Sequence, residues 1–307
     1  MSVPAAYLGV ILIWSTTPLG IQWSAQGATF SFAVMARMLI GLAICGVLLR
    51  ATRTAFPYTA AARQLYLVSG LSIFVAMLLT YWGALHIPSG LISVIFGLSP
   101  LVTGVFAALW LSERTLTPLR LTGLALALGG LWFIFGQPWP GDGRATLGTA
   151  AVLAGMTAQA LGLVWIKRLN VRMSSLAITT GSLAVATPLF VLAWVVADAA
   201  QLPADITPRA GAAMVYLGVF GSVVGFTLYY YVIKHMDAGR VALITLITPV
   251  SALLLGQALN AEFIPGRGWI GIALIGAGLL LYEWQALAGL RSAAAQADKP
   301  LPTSTID

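Results

Sequence analysis

Long apolar runs and short polar connections alternate along the chain as far as Arg291. Ten runs, each almost free of charge, cover 5–24, 30–50, 65–85, 89–111, 119–137, 146–166, 174–197, 211–233, 240–261 and 268–288. A helix needs about 20 apolar residues to cross a hydrocarbon core roughly 30 Å thick, so each run predicts one membrane span. The runs are continuously apolar, whereas a barrel strand alternates apolar and polar residues. Helices are also what lipid demands, because lipid offers no partner to a free backbone N–H or C=O. The expected fold is an all-α integral membrane protein of ten transmembrane helices, spans 1 to 10 below. After the last run the chain turns to Ala, Ser, Pro and charge, which predicts a disordered cytoplasmic tail over 289–307.

Composition excludes a soluble alternative. Of 307 residues 59% are hydrophobic and 8% charged, where a soluble domain carries roughly 25% charge. A mean hydropathy of +0.93 would leave large apolar patches in water, and such patches drive association. Sixteen Lys and Arg against nine Asp and Glu give a net charge of +7, which in a soluble protein would point toward nucleic acid. Here the positive residues fall between the apolar runs and read as topology signals, so no nucleic-acid partner is expected. With the N-terminus in the cytoplasm, twelve of them lie on the inner side, Arg144, Arg209 and Arg267 on the outer side, and Arg37 within span 2. That bias predicts a multi-pass protein of the plasma (inner) membrane with both termini cytoplasmic.

The two halves of the chain resemble each other. Adding 149 maps Tyr81 onto Tyr230, His86 onto His235, Gly90 onto Gly239, Pro100 onto Pro249 and Glu113 onto Glu262, without a gap. Each copy then contains five spans, and an odd number inserts the second copy upside down relative to the first. At these residues the sequence resembles the EamA-type families of the drug/metabolite transporter superfamily. The pieces that carry the resemblance are Trp14-Ser15, Ala36-Arg37, the block from Pro100 to Glu113-Arg114, Gly123 with Gly129-Gly130, and in the second copy Pro249 to Glu262 and Gly271 to Gly278. The resemblance implies two inverted five-helix repeats, 5–137 and 146–288, around a central cavity. Helices 1 to 4 and 6 to 9 would ring that cavity, with helices 5 and 10 outside it. It also implies export of amino acids, other metabolites or drugs.

Candidate chemistry is sparse. Cys45 sits alone in an apolar run, so neither a disulfide nor a Cys/His metal spacing is expected. No HExxH, no paired intramembrane carboxylates and no GxxxxGK[ST] loop occur, which predicts neither catalytic residues, nor a metal, nor a cofactor, nor direct ATP drive. Arg37, about 10 Å into span 2, must face protein or a water-filled cavity. No carboxylate lies at its depth, so its partner is backbone carbonyl, a helix end or an anionic ligand; tying helix ends together is the structural alternative. Glu113 and Glu262 close spans 4 and 9 against the helix dipole and call for donors from elsewhere. His86 and His235 at span ends, and Trp139, Trp269 and Trp284, read as interfacial residues. The expected substrate contacts are Trp14, Ser15, Arg37, Tyr81, Phe96, Ser99, Gln159, Phe226, Tyr230, Thr245 and Thr248, with Gln22, Ser93 and Ser222 as further polar groups at span depth. Pro100 and Pro249 would kink spans 4 and 9 as hinges and place the cavity between them. The reading is a secondary transporter that exports a small metabolite by alternating access; a membrane-embedded enzyme and a passive channel are the alternatives. Expected partners are a small-molecule substrate and membrane lipid. Small residues in spans 5 and 10 fit either a homodimer or packing within one chain.

Overall fold

The computed structural model describes residues 2–111, 117–135, 143–236, 238–264 and 266–284. The expected tail, 289–307, lies outside them. Spans 1 to 3 are single helices, α1 (Val3–Gln26), α2 (Phe30–Ala51) and α3 (Ala60–Gly83). Span 4 is broken into α4 (Ser89–Gly97) and α5 (Ser99–Leu111). Then follow α6 (Pro118–Phe135), α7 (Arg144–Leu169) and α8 (Ser175–Asp198) as spans 5 to 7. Span 8 runs through α9 (Pro208–Tyr216), a π-helical segment Leu217–Val224 and α10 (Gly225–His235), and α11 (Ala238–Asn260) and α12 (Gly266–Tyr282) complete the set. Eight of these stretches are long and apolar enough to cross a bilayer, and the two shorter apolar helices are spans 5 and 10.

Local sequence starts and stops these helices. Thr29, Thr59, Ser174 and Thr207 each accept a hydrogen bond from the N–H three residues on, which satisfies one orphan donor of the first turn. At its far end α7 carries Lys167 and Arg168 against the negative pole of the dipole and stops at Asn170 in the left-handed region, φ 47°. Outward faces carry Leu8, Leu12, Val47, Leu109, Leu128, Trp132, Leu192 and Val196, all exposed, an apolar coat suited to lipid rather than water.

Packing closes a ring. Spans 1 and 9, 9 and 4, 4 and 6, 6 and 3, 3 and 7, 7 and 2, 2 and 8, and 8 and 1 pack in turn, while spans 5 and 10 pack chiefly on each other outside it. Exchanging every span with the one five places away turns each of these pairs into another member of the set, as a two-fold relation between the copies requires. Related spans run antiparallel. Gly123 lies opposite Gly278 and Gly130 opposite Gly271; Gly90 opposite Leu253 and Gly97 opposite Pro249; and Gly41 opposite Leu183. The glycines of spans 5 and 10 therefore meet within one chain.

Proline acts unevenly. Span 4 breaks beside Pro100, and Leu98 N–H turns back to Ile95 O in a tightened turn at 3.0 Å. Span 9, expected to be interrupted in the same way, is one continuous helix through Pro249, as α1 is through Pro18 and α8 through Pro188. The irregular stretch of the second copy is instead the π-helical segment of span 8, which contains no proline.

Candidate functional site

Two polar constellations join the copies. The first is built on α2 and span 8. Arg37 is 5% exposed and its Nε donates to Ser222 Oγ at 3.2 Å. Ser222 Oγ in turn donates to Leu217 O, five residues back, at 3.1 Å, the reach of a π-turn. Arg37 Nη1 is buried and has no hydrogen-bond partner among the described residues. The guanidinium lies on the bare backbone of Gly221, with Nη2 3.3 Å from where a Cβ would stand. One turn on, a Cβ at Gly225 would stand 3.5 Å from Trp14 Nε1, and the Trp14 ring tilts against Tyr229 at 4.6 Å. Glycine at 221 and 225 is what allows α1 and α2 to bring an indole and a guanidinium against one stripe of span 8.

The second constellation closes the end of the ring that carries the connections at 27–29, 84–88, 199–207 and 261–264. Asn260 Nδ2 donates to Gln22 Oε1 at 2.9 Å and to Glu262 Oε1 at 3.0 Å, and Asn260 Oδ1 accepts from Trp23 Nε1 at 3.0 Å. Gln22 Nε2 donates to Ile87 O at 3.2 Å, and Gly90 N–H, in the first turn of α4, points to Glu262 Oε2 at 3.4 Å. The donors that Glu262 needs therefore come from Asn260 and from the positive end of another helix, where a carboxylate is favoured. Arg209 covers the Trp23 ring at 4.0 Å and donates to Leu259 O at 3.4 Å. Nearby, Asp198 Oδ2 accepts from Thr29 Oγ1 at 2.6 Å and from Ser31 Oγ, fastening the end of α8 to the start of α2.

The expected substrate contacts are spread over the ring. Trp14 and Arg37 come to the span 8 stripe. Ser15 and Tyr81 are buried, and Ser15 Oγ, Tyr81 Oη and Gln159 Oε1 find no hydrogen-bond partner among the described residues. Phe96 and Ser99 are half-buried beside the break in span 4, Thr245 is half-buried and Thr248 buried on α11, and Phe226 is exposed on span 8. The side chain of Tyr230 and all of Glu113, Arg114 and Trp139 lie outside the described residues. The space expected between spans 4 and 9 is filled by direct packing at two levels. A Cβ at Gly90 would stand 2.7 Å from Leu253 Cα, and one at Gly97 would stand 3.2 Å from Pro249 Cγ. His86 is half-buried, edge-on to Trp82 at 4.7 Å, and His235 is exposed with Nδ1 2.8 Å from Tyr231 O. Trp269 and Trp284 are exposed at span ends. Among the described residues no three His, Cys, Asp or Glu side chains come together as a metal site.

Sequence reasoning passed over Asn260. A polar residue closing an apolar run is ordinary, and its part is set by α1 and α4 arriving beside it from the other copy. Ser222 was visible as a polar group at span depth, without a sign that its hydroxyl meets Arg37.

Comparison with known proteins places these features in a family. The model of the EamA-like transporter family matches the chain twice, over residues 3–136 and 146–284. The uncharacterized inner membrane transporter YedA of Escherichia coli is 25% identical over 197 residues, 62% of this chain and 60% of that one. The match thus spans about three fifths of that relative's length. A probable terminal-alkyne amino-acid exporter of Streptantibioticus cattleyicolor is 28% identical over 228 residues, 73% of each chain. A solved crystal structure superposes with a TM-score of 0.65 at 20% identity, covering 93% of this chain and 97% of that one, and shows the same fold.

Proposed function

The chain belongs to the EamA-like transporter family, and from that premise we propose that it exports small amphipathic metabolites, amino acids foremost, across the inner membrane by alternating access. That it is a multi-pass membrane transporter and not an enzyme follows from the family. The observation that carries the finer reading is the antiparallel pairing of related spans. Both ends of such a ring are built from equivalent pieces, so a form closed at one end has a counterpart of similar energy closed at the other. The end around Asn260 is held by side-chain hydrogen bonds, which can exchange for water when the ring rocks. The amino-acid exporter named above supports the substrate class. The break beside Pro100 supplies a flexible point in the wall.

Counterflow into proteoliposomes preloaded with a mixture of amino acids tests this. Wild-type protein is expected to accumulate labelled amino acid above control liposomes, and Pro100→Ala to slow turnover by roughly three- to tenfold with little change in thermal stability. Absence of exchange for every member of the panel would remove the export reading, and an undiminished rate in Pro100→Ala would remove the hinge.

The twelve-to-three distribution of Lys and Arg supports cytoplasmic termini with the Asn260 end outside. In a Cys45→Ala background, a cysteine placed in the 138–145 connection is expected to react with an impermeant thiol reagent in intact cells. Labelling that appears after lysis alone would reverse the orientation.

A further inference from the structure

Four features of span 8 and its neighbours belong together: an arginine that is 95% buried, its unpartnered Nη1, an indole N–H one turn away, and a glycine stripe beneath both. We infer that the Arg37–Trp14 corner is the subsite for the carboxylate of the transported molecule, with Trp14 and Tyr229 receiving its apolar body; this rests on the export reading above.

The charge is the first reason. An arginine at this depth in a membrane protein is expensive unless an anion or a dense set of acceptors meets it. Among the described residues the acceptors are few. Ser222 takes Nε, while Asp198 is held by Thr29 and Ser31, Glu262 by Asn260 and Gly90, Asp205 is exposed in the 199–207 connection, and Glu283 directly follows α12, outside the ring.

Donor geometry is the second. Ser222 uses its own proton on Leu217 O and offers a lone pair to Nε. The hydroxyl therefore fixes the plane of the guanidinium without neutralising it, and a planar fork held in place suits a carboxylate. Trp14 Nε1 adds a donor that carries no charge of its own. Arg37 and Trp14 present donors and no acceptors, which selects a single anionic group and disfavours a neutral amide.

Position is the third. Gly221 and Gly225 remove two side chains from the face that the guanidinium and indole overlie, and the next turn of that face presents Tyr229 against the Trp14 ring. An anionic head with an apolar tail fits that order along span 8. Nη1 is enclosed, so occupancy requires the α1 side, led by Trp14, to swing off the stripe, a movement of the kind that alternating access makes.

The probes are two pairs that differ in carboxylate against carboxamide: L-leucine with L-leucinamide, and 4-methylpentanoate with 4-methylpentanamide. Full-length protein in detergent is expected to be thermally stabilised by each acid at concentrations at least about tenfold below those its amide needs. Arg37→Gln should erase that difference. Trp14→Phe, which removes the indole N–H and keeps an aromatic ring, should weaken the acids and leave the amides unchanged. Should Arg37→Gln not fold, Trp14→Phe and Ser222→Ala decide the matter, since both keep the charge and disturb the donor set. Equal binding of acid and amide, no binding of either pair, or acid preference retained in Arg37→Gln or in both other variants would overturn the inference. Counterflow separates the two readings. Acid-selective binding without transport would remove the exporter and keep the subsite, whereas amides carried as fast as acids would keep the exporter and remove the subsite.

Discussion

In a variant carrying Asn260→Ala, the end of the ring sealed around Trp23 and Glu262 is expected to open. The substitution removes two donated bonds, to Gln22 and Glu262, and one accepted from Trp23. At about 1 kcal/mol net for each, the sealed form loses roughly 2–3 kcal/mol against a form in which water meets the same groups. That is an approximately 30- to 150-fold shift toward the open end. The Ile87 carbonyl is tied to Gln22 and its side chain is 3% exposed, so it reports on the seal. With Ile87→Cys in a Cys45→Ala background, reaction with a polar thiol reagent in detergent should quicken by at least about tenfold when Asn260→Ala is added. Glu262→Gln, which keeps the bond to Asn260 and loses the charge at the start of α4, should act in the same direction with smaller effect. Equal labelling rates in all three backgrounds would mean that helix packing, and not these side chains, holds the end shut.

Much of the fold could be read from the runs alone because lipid leaves so few options. A stretch such as 65–85 has to be a helix, and the structure has it as Ala60–Gly83, longer at its start and two residues shorter at its end. The repeat was legible for a different reason. His86, Pro100 and Glu113 are scarce types in this chain, so their recurrence 149 residues later carried weight. One contact even joins members of two matched pairs, since Gly90 of the first copy meets Glu262 of the second. What could not be read is how the backbone responds to each residue. Pro100 breaks its helix and Pro249 does not, although both lack the same N–H; a transmembrane helix can satisfy the freed carbonyl through its neighbours. The π-segment over Leu217–Val224 leaves no mark in the sequence beyond Gly218, Gly221 and Ser222. Its geometry is coupled to Arg37, which comes from a helix some 180 residues earlier in the chain. For the same reason Arg37 was recognisable as a residue in need of a partner, while the identity of Ser222 as one partner was not.

The largest loss of stability is expected where spans 5 and 10 meet. Their backbones touch. A Cβ at Gly278 would stand 2.5 Å from Gly123 O and 3.0 Å from Ala127 N, and a Cβ at Gly123 would stand 2.5 Å from Gly278 O. A second such approach, Gly130 with Gly271 O at 2.6 Å, lies two turns away. Helices in lipid gain no hydrophobic drive by associating, so close packing and Cα–H···O contacts along such a glycine seam hold them together. The atoms in the way are main chain, and no rotamer change can move them aside. Gly278→Ala should therefore force the helices apart and cost about 1–3 kcal/mol, a fall in Tm of roughly 2–10 °C. Gly278→Leu should separate the pair altogether, since α6 and α12 have chiefly each other as partners. Gly129 and Gly276 give the control, because a Cβ at either meets nothing within 4 Å. Gly129→Ala and Gly276→Ala should leave Tm unchanged or raise it slightly, alanine being the better helix former. Were Gly276→Ala as damaging as Gly278→Ala, loss of glycine itself would be the cause, and the seam would not explain how the last helix of each copy is held.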